Sequence, residues 1–213
     1  MAERWATFDC YGTLIDWDGG VRRELARIFG EERADERLAR YHEVEPDIQR
    51  AEPSLAYREV LARSLDDLGA SPEDRESLGE SLPTWTPFPE VRAALEEARG
   101  RGWRLAILSN TDRDFIEASK RLIGVRFDAT IVASEIGSYK PALEHWQAFE
   151  REIGRLPNVH VGASHFHDVV PASGLGLPTV WVNRLAEHGD PPPTRELRDL
   201  APLADVLDEL VPA

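Results

Sequence analysis

Five short apolar runs separated by helix-like segments constrain this chain more than any other feature. Trp5–Phe8, Arg104–Leu108, Ala129–Ala133, Val159–Gly162 and Pro178–Val182 have strand-like content. Amphipathic stretches lie between the later runs. Asp112–Ile123 sets Phe115, Ile116 and Leu122 on one face, Pro141–Ile153 opens on proline, and Phe166–Leu175 ends at Gly174 and Gly176. This alternation predicts an α/β fold: a Rossmann-like, doubly wound parallel sheet with helices on both faces.

One interval breaks the alternation. From Ile15 to Pro87 no strand is legible, only helical pattern over Val21–Phe29, Glu36–Gln49, Leu55–Leu68 and Pro72–Leu82. Pro83, Pro87 and Pro89 then punctuate a loop before the helix Glu90–Arg99. The expected organisation is a core of residues 1–15 and 88–213 with an all-helical cap domain, 16–87, inserted after the first strand. A chain of 213 residues suffices for a core and a small accessory domain.

Charge and composition narrow the partners. A formal net charge of −14 opposes nucleic acid or an anionic membrane as the main partner. No apolar run approaches the roughly 18 residues of a membrane span, and the first strand begins too early for a signal peptide. The single cysteine, Cys10, excludes an internal disulfide and fits a reducing, cytoplasmic setting. It reads as a small buried filler beside Asp9.

In open parallel sheets, ligands bind beyond the carboxyl ends of the strands. There the sequence delivers Asp9 to Thr13 after the first strand and Ser109-Asn110-Thr111-Asp112 after the second. Ser138-Tyr139-Lys140-Pro141 follows near the third, and Ala163-Ser164-His165-Phe166-His167-Asp168 follows the fourth. A carboxylate, a hydroxyl, a lysine and a second acid at successive strand ends describe a nucleophile with supporting charges.

FDCYGTLIDW, LSNTD, YKP and VGASHFHD resemble the four motifs of the haloacid dehalogenase-like hydrolase superfamily, and the helical insert falls at the place of its cap. Phosphatases of that superfamily carry a second acid two residues after the nucleophile, which protonates a poor alkoxide leaving group. Tyr11 stands there, and a phenol with pKa of about 10 suits the task badly. Halide leaves without protonation. Phosphatases also bind Mg²⁺ through an acid that is Ala163 here; a methyl offers magnesium no ligand. His165 and His167 are nitrogen donors better suited to zinc, but no further His or Cys completes such a site.

The resemblance therefore implies an (S)-2-haloacid dehalogenase-like hydrolase that needs neither metal nor cofactor and takes a small anionic substrate. Asp9 would attack the halogen-bearing carbon to form an aspartyl ester, which water then hydrolyses. Thr13, Ser109 and the backbone N–H groups of the Tyr11-Gly12 turn would hold carboxylates; Lys140 would orient Asp9, and Asp168 would anchor Lys140. Asn110 and a cap arginine would contact the substrate or halide. Arg40 is favoured for that arginine, with Arg50 and Arg37 as alternatives. Trp146 is either a substrate contact or core, and His165 is the candidate for activating water. Trp17, Trp85, Trp103 and Trp181 read as packing. Relatives of this kind pair as homodimers, although no dedicated interface is legible. The competing readings are a phosphatase of the same fold acting on a small phosphate ester, and a weakly catalytic binding protein.

Overall fold

The computed structural model describes residues 3–212. Its sheet is built from β1 (Arg4–Phe8), β2 (Trp103–Ser109), β3 (Ala129–Val132), β4 (Val159–Gly162), β5 (Thr179–Val182) and β6 (Arg195–Leu197). All pairings are parallel, in the order β3-β2-β1-β4-β5-β6. The order reverses at β1, so the crevice between the ends of β1 and β4 is the switch point where such sheets bind ligands. Period-two alternation divides the core. Ala6, Phe8, Leu105 and Ile107 face one apolar cluster, while Trp5, Ala106 and Leu108 face the other.

The helices are α1 (Trp17–Phe29), α2 (Ala34–Ala51), α3 (Tyr57–Asp67), α4 (Ser77–Ser81), α5 (Val91–Gly100), α6 (Arg113–Ile123), α7 (Ala133–Ile136), α8 (Glu144–Ile153), α9 (Val170–Gly174) and α10 (Leu203–Leu210). Side chains of α5, α6 and α10 cover one face of the sheet, and those of α8 and α9 the other. Helices α1 to α4 fall between β1 and β2, where the sequence shows no strand. The chain enters and leaves this insert side by side: Asp16 N–H donates to Thr86 O at 2.9 Å, and Phe88 N–H to Leu14 O at 3.1 Å.

The insert is tied to the sheet edge by more than its two connections. The Asp112 carboxylate, just past β2, accepts Tyr57 N–H at 2.8 Å and Arg58 N–H at 2.9 Å. It thereby satisfies two of the unpaired donors at the start of α3 and complements the positive end of that helix. Tyr139 O–H donates to Leu55 O at 2.6 Å from the other side.

Four elements depart from the sequence reading. β6 and α10 have no counterpart in it: β6 is a three-residue edge strand, partly exposed and charged, whose place is set by pairing with β5. Helix α8 begins at Glu144 rather than at Pro141. Asn110 grips the Lys140 backbone from both sides, taking its N–H at 2.7 Å and donating to its carbonyl at 3.0 Å, and so keeps that segment out of the helix. The run from Pro72 is mostly turn, with helix confined to Ser77–Ser81.

Candidate active site

Asp9 is the first residue past β1. Its N–H continues the ladder to Val161 O at 2.9 Å, which sets its side chain at the switch point. The chain then folds back within four residues. Leu14 and Ile15 N–H both donate to Cys10 O, and Gly12 adopts a φ of 87°, a conformation glycine enters without steric cost. This turn returns Thr13 to Asp9. The Thr13 hydroxyl accepts Ala163 N–H at 2.8 Å, so its own proton points to Asp9 Oδ2 at 2.9 Å.

Lys140 lies buried between two acids. Its Nζ donates to Asp9 Oδ1 at 2.9 Å, Asp168 Oδ1 at 2.6 Å and Leu108 O at 2.9 Å, using all three ammonium protons. Asp168 holds the lysine with help from His160, a β4 residue that the motif reading overlooks. His160 Nε2 lies 3.2 Å from Asp168 Oδ1, and its Nδ1 lies 2.9 Å from the hydroxyl of Thr7, its register partner on β1. Burial keeps this imidazole below its ordinary pKa and therefore neutral. The arrangement suits the tautomer with the proton on Nε2, toward the carboxylate.

The cluster divides its charge unequally. Burial pushes the Asp9 carboxyl above the ordinary range; Lys140 offsets this only in part, and Asp168 adds to it. Burial also pushes Asp168 up, but Lys140 and His160 outweigh it and hold Asp168 well below the usual carboxylate range. Burial would lower Lys140, yet the Asp168 and Asp9 carboxylates raise it. One permanent cation thus serves two acids. The acid facing the cleft is the more basic of the two, as a carboxylate nucleophile requires. Burial and Asp9 both raise the Cys10 thiol, leaving it an inert filler.

A cleft of about 500 Å³ opens above the cluster, between the sheet edge and the inserted helices. Ser109 lines it with a hydroxyl that is buried and has no partner in the protein. Asn110 also lines it, although its amide is engaged with the Lys140 backbone. Tyr11 reaches the cleft as well, but its hydroxyl bonds Ser119 at 3.0 Å on α6 and its ring meets Trp85 edge-on. The Gly12 N–H is spent within the turn, on Ile15 O at 2.8 Å.

Five residues read as possible substrate contacts or as the water activator do not line this cleft. Arg40 is outside the cleft, paired with Glu43 at 2.9 Å and Asp67 at 3.1 Å on the solvent side of α2. The inward stripe of that helix is Tyr41, Val44, Glu45 and Gln49, and Arg40 lies one step of about 100° away from it. Arg37 donates to Leu68 O and lies over Phe29, and Arg50 pairs with Asp47. Trp146 is fully buried behind the sheet, packed against His160 in the cluster that contains Trp5 and Phe149. His165 turns away from the cleft, its Nε2 on Pro191 O at 2.9 Å and its ring against Trp181. Gly189 admits that ring; a Cβ there would come within 2.2 Å of it.

Two residues take up places the motif reading left to others. His167 lines the cleft, with Nδ1 3.0 Å from the Ser164 hydroxyl, and its Nε2 has no hydrogen-bond partner among the described residues. Burial lowers it to about 4, so the ring is neutral near pH 7. Arg184, past the end of β5, donates to Thr13 O at 3.0 Å and to Glu90 at 2.7 Å, and braces the loop carrying the nucleophile position. Extending the inventory of strand ends to the fifth strand would have found it.

The donor set does not fit magnesium. Asp168 Oδ1 is taken by Lys140 and His160, its Oδ2 accepts Ser164 N–H at 3.2 Å, and position 163 presents only a methyl. Among the described residues, no group of three or more His, Cys, Asp or Glu side chains is placed to hold a metal ion.

A doubly wound sheet with helices inserted after its first strand, and an Asp–Lys–Asp cluster at its switch point, defines a class of α/β enzymes built around a strand-end carboxylate. The family model described as haloacid dehalogenase-like hydrolase matches residues 4–171. An (S)-2-haloacid dehalogenase from Pseudomonas sp. (strain YL) is 31% identical over 192 residues, covering 83% of this chain and 81% of that protein. A phosphoserine phosphatase from Thermus thermophilus is 30% identical over 149 residues, covering 65% of this chain and 59% of its own. The L-2-haloacid dehalogenase structure from Xanthobacter autotrophicus superposes with a TM-score of 0.82 at 21% identity, covering 97% of this chain and 98% of that one, a likeness of fold. The chain belongs to the haloacid dehalogenase-like hydrolase family and is a hydrolase of that type. No helix among the described residues is long and apolar enough to cross a membrane.

Proposed function

We infer that the protein hydrolyses a carbon–halogen bond adjacent to a carboxylate, converting a 2-haloacid to a 2-hydroxy acid without a metal. The observation that carries this reading is Asp9, raised in basicity and held by Lys140 and Thr13, with Tyr11, its hydroxyl bonded to Ser119, standing where a second acid would protonate a leaving group. One Asp9 oxygen attacks the halogen-bearing carbon from the side opposite the halogen. Halide leaves with the bonding pair, and an ester joins Asp9 to the substrate. Ser109 supplies a buried hydroxyl for the substrate carboxylate, which would give it the partner it lacks.

Water then adds to the ester carbonyl carbon. His167 Nε2 accepts one water proton and returns it to the departing alkoxide, the second goes to solvent, and Asp9 is restored as a carboxylate. Attack at the carbonyl leaves the new carbon–oxygen bond intact, so configuration at the substrate carbon is inverted once. The helices of residues 16–87 act as the cap that closes over this chemistry.

Halide release from 2-chloropropionate, with and without EDTA, tests the reading against Asp9→Asn. EDTA-insensitive release that the variant abolishes is expected. The phosphatase relative supports one rival, hydrolysis of a phosphate ester. Magnesium-dependent phosphate release without halide release would establish that rival instead.

A further inference from the structure

The wall of the cleft opposite Asp9 has a chemistry of its own. Trp17 and Asp18 of α1, His42, Glu45 and Gln49 of α2, and Tyr57 of α3 line it. Asp18 pairs with His42 at 2.8 Å, and the His42 ring stacks on Trp17 with centroids 5.3 Å apart and planes 11° from parallel. The Trp17 indole N–H in turn donates to the Tyr57 hydroxyl at 3.2 Å. These contacts fix an aromatic surface.

Glu45 stands within that surface and is only 6% exposed. The Gln49 amide donates to it, but no lysine, arginine or histidine pairs with it among the described residues. A buried carboxylate without a counter-charge is costly to the fold unless something neutralises it. Burial pushes Glu45 up to about 7, offset only in part by the nearby Tyr57 hydroxyl and His42. The cleft's lysine and arginine cannot supply the missing charge: Lys140 already serves two acids, and Arg184 is paired with Glu90.

An acid facing a cavity, unpaired and sharing that wall with an indole and a phenol, matches a positively charged ligand group. A bare haloacid anion has nothing to place there, and a cleft of about 500 Å³ has room for a longer molecule. We propose that the substrate carries, beyond its reacting carbon, a cationic ammonium group that docks against Glu45 beside Trp17 and Tyr57. The proposal rests on the dehalogenation reading for the reacting end of the molecule, and assigns the substrate class as zwitterionic.

Calorimetric titration of the full chain at pH 8 with two unreactive acids of one shape tests it. The probes are 5-(trimethylammonio)pentanoate and its isostere with an uncharged tail, 6,6-dimethylheptanoate, with 6-hydroxyhexanoate as a control whose uncharged tail can hydrogen-bond. The cation should bind at least about tenfold more tightly than the isostere, and Glu45→Gln should bring the two within about twofold. Equal binding of the pair by the wild-type protein, or tighter binding of the hydroxy acid, would overturn the proposal. The wild-type comparison needs no variant, so misfolding cannot mask the result. Halide release from 2-chloropropionate is measured alongside. Its absence would sink the dehalogenation reading, while the titration still decides the tail.

Discussion

Replacing Glu45 by glutamine removes a charge without changing shape, and the structure sets the size and sign of the effect. In the folded protein this carboxyl is pushed from 4.5 up to about 7, first by burial. An acid whose folded pKa is raised contributes stability that is present below the unfolded value and lost as pH rises through the folded one. At about 1.4 kcal/mol per pH unit, ionising Glu45 costs the fold about 3 kcal/mol in all. About 2 kcal/mol of this falls between pH 5.5 and 8.5, a window above the isoelectric point of about 4.9. Glutamine cannot ionise, and its carbonyl can still accept the Gln49 amide. Urea denaturation at the two pH values therefore has a definite outcome. Relative to wild type, the variant should gain about 2 kcal/mol at the higher pH, a midpoint shift of about 1 M. Groups facing Glu45, chiefly Tyr41, Tyr57, His42 and Gln49, are common to both proteins and cancel in the comparison. A gap that does not change with pH would refute the reasoning, because Glu45 would then carry no raised folded-state pKa across that window.

Other expectations follow from the same contacts. His167→Gln should release about one halide per protein and then stall with substrate esterified to Asp9, detectable by intact-mass measurement; undiminished steady turnover would remove His167 from the hydrolytic step. Lys140→Met leaves two buried acids without their cation and should cost about 3–5 kcal/mol in urea denaturation as well as halide release. Asp112→Ala frees two N–H groups at the start of α3 and should cost about 1–2 kcal/mol, read as a lower urea midpoint. Gly162→Ala would set a methyl 2.4 Å from the Asp168 carboxyl, so halide release should collapse; an active variant would show that Asp168 can move without consequence. Arg40→Ala should leave halide release as in wild type, since Arg40 reaches only Glu43 and Asp67.

Residues 1–15 and 88–182 were largely legible because parallel-sheet proteins write their sites locally. Each buried strand is a short apolar run, and the polar residue that follows it must emerge at one edge. That rule names Asp9, Thr13, Ser109, Lys140 and Asp168; the structure joins Asp9 and Asp168 through the Lys140 ammonium, ties Thr13 to Asp9 and sets Ser109 on the same cleft. The strand-free interval was equally plain, since four helical patterns with proline breaks leave no room for a sheet.

Direction within an element was not legible. Arg40 and Tyr41 are neighbours in sequence, yet about 100° of helical rotation puts one in solvent and the other in the core. His165 and His167 are two apart in one short turn; only packing against Trp181 and the Gly189–Pro191 loop sends the first away and leaves the second at the cleft. Trp146 follows its helix into the far core by the same logic. His160 escaped notice because a histidine inside a strand looks like filler until register places it between Thr7 and Asp168. By itself the sequence determined the order of elements, the strand-end chemistry and the missing second acid, since these depend on residue type and spacing. Tertiary structure alone decided which acid is the more basic, what faces the cleft, and that Glu45 stands there unpaired. Those properties depend on burial and on partners distant in the chain.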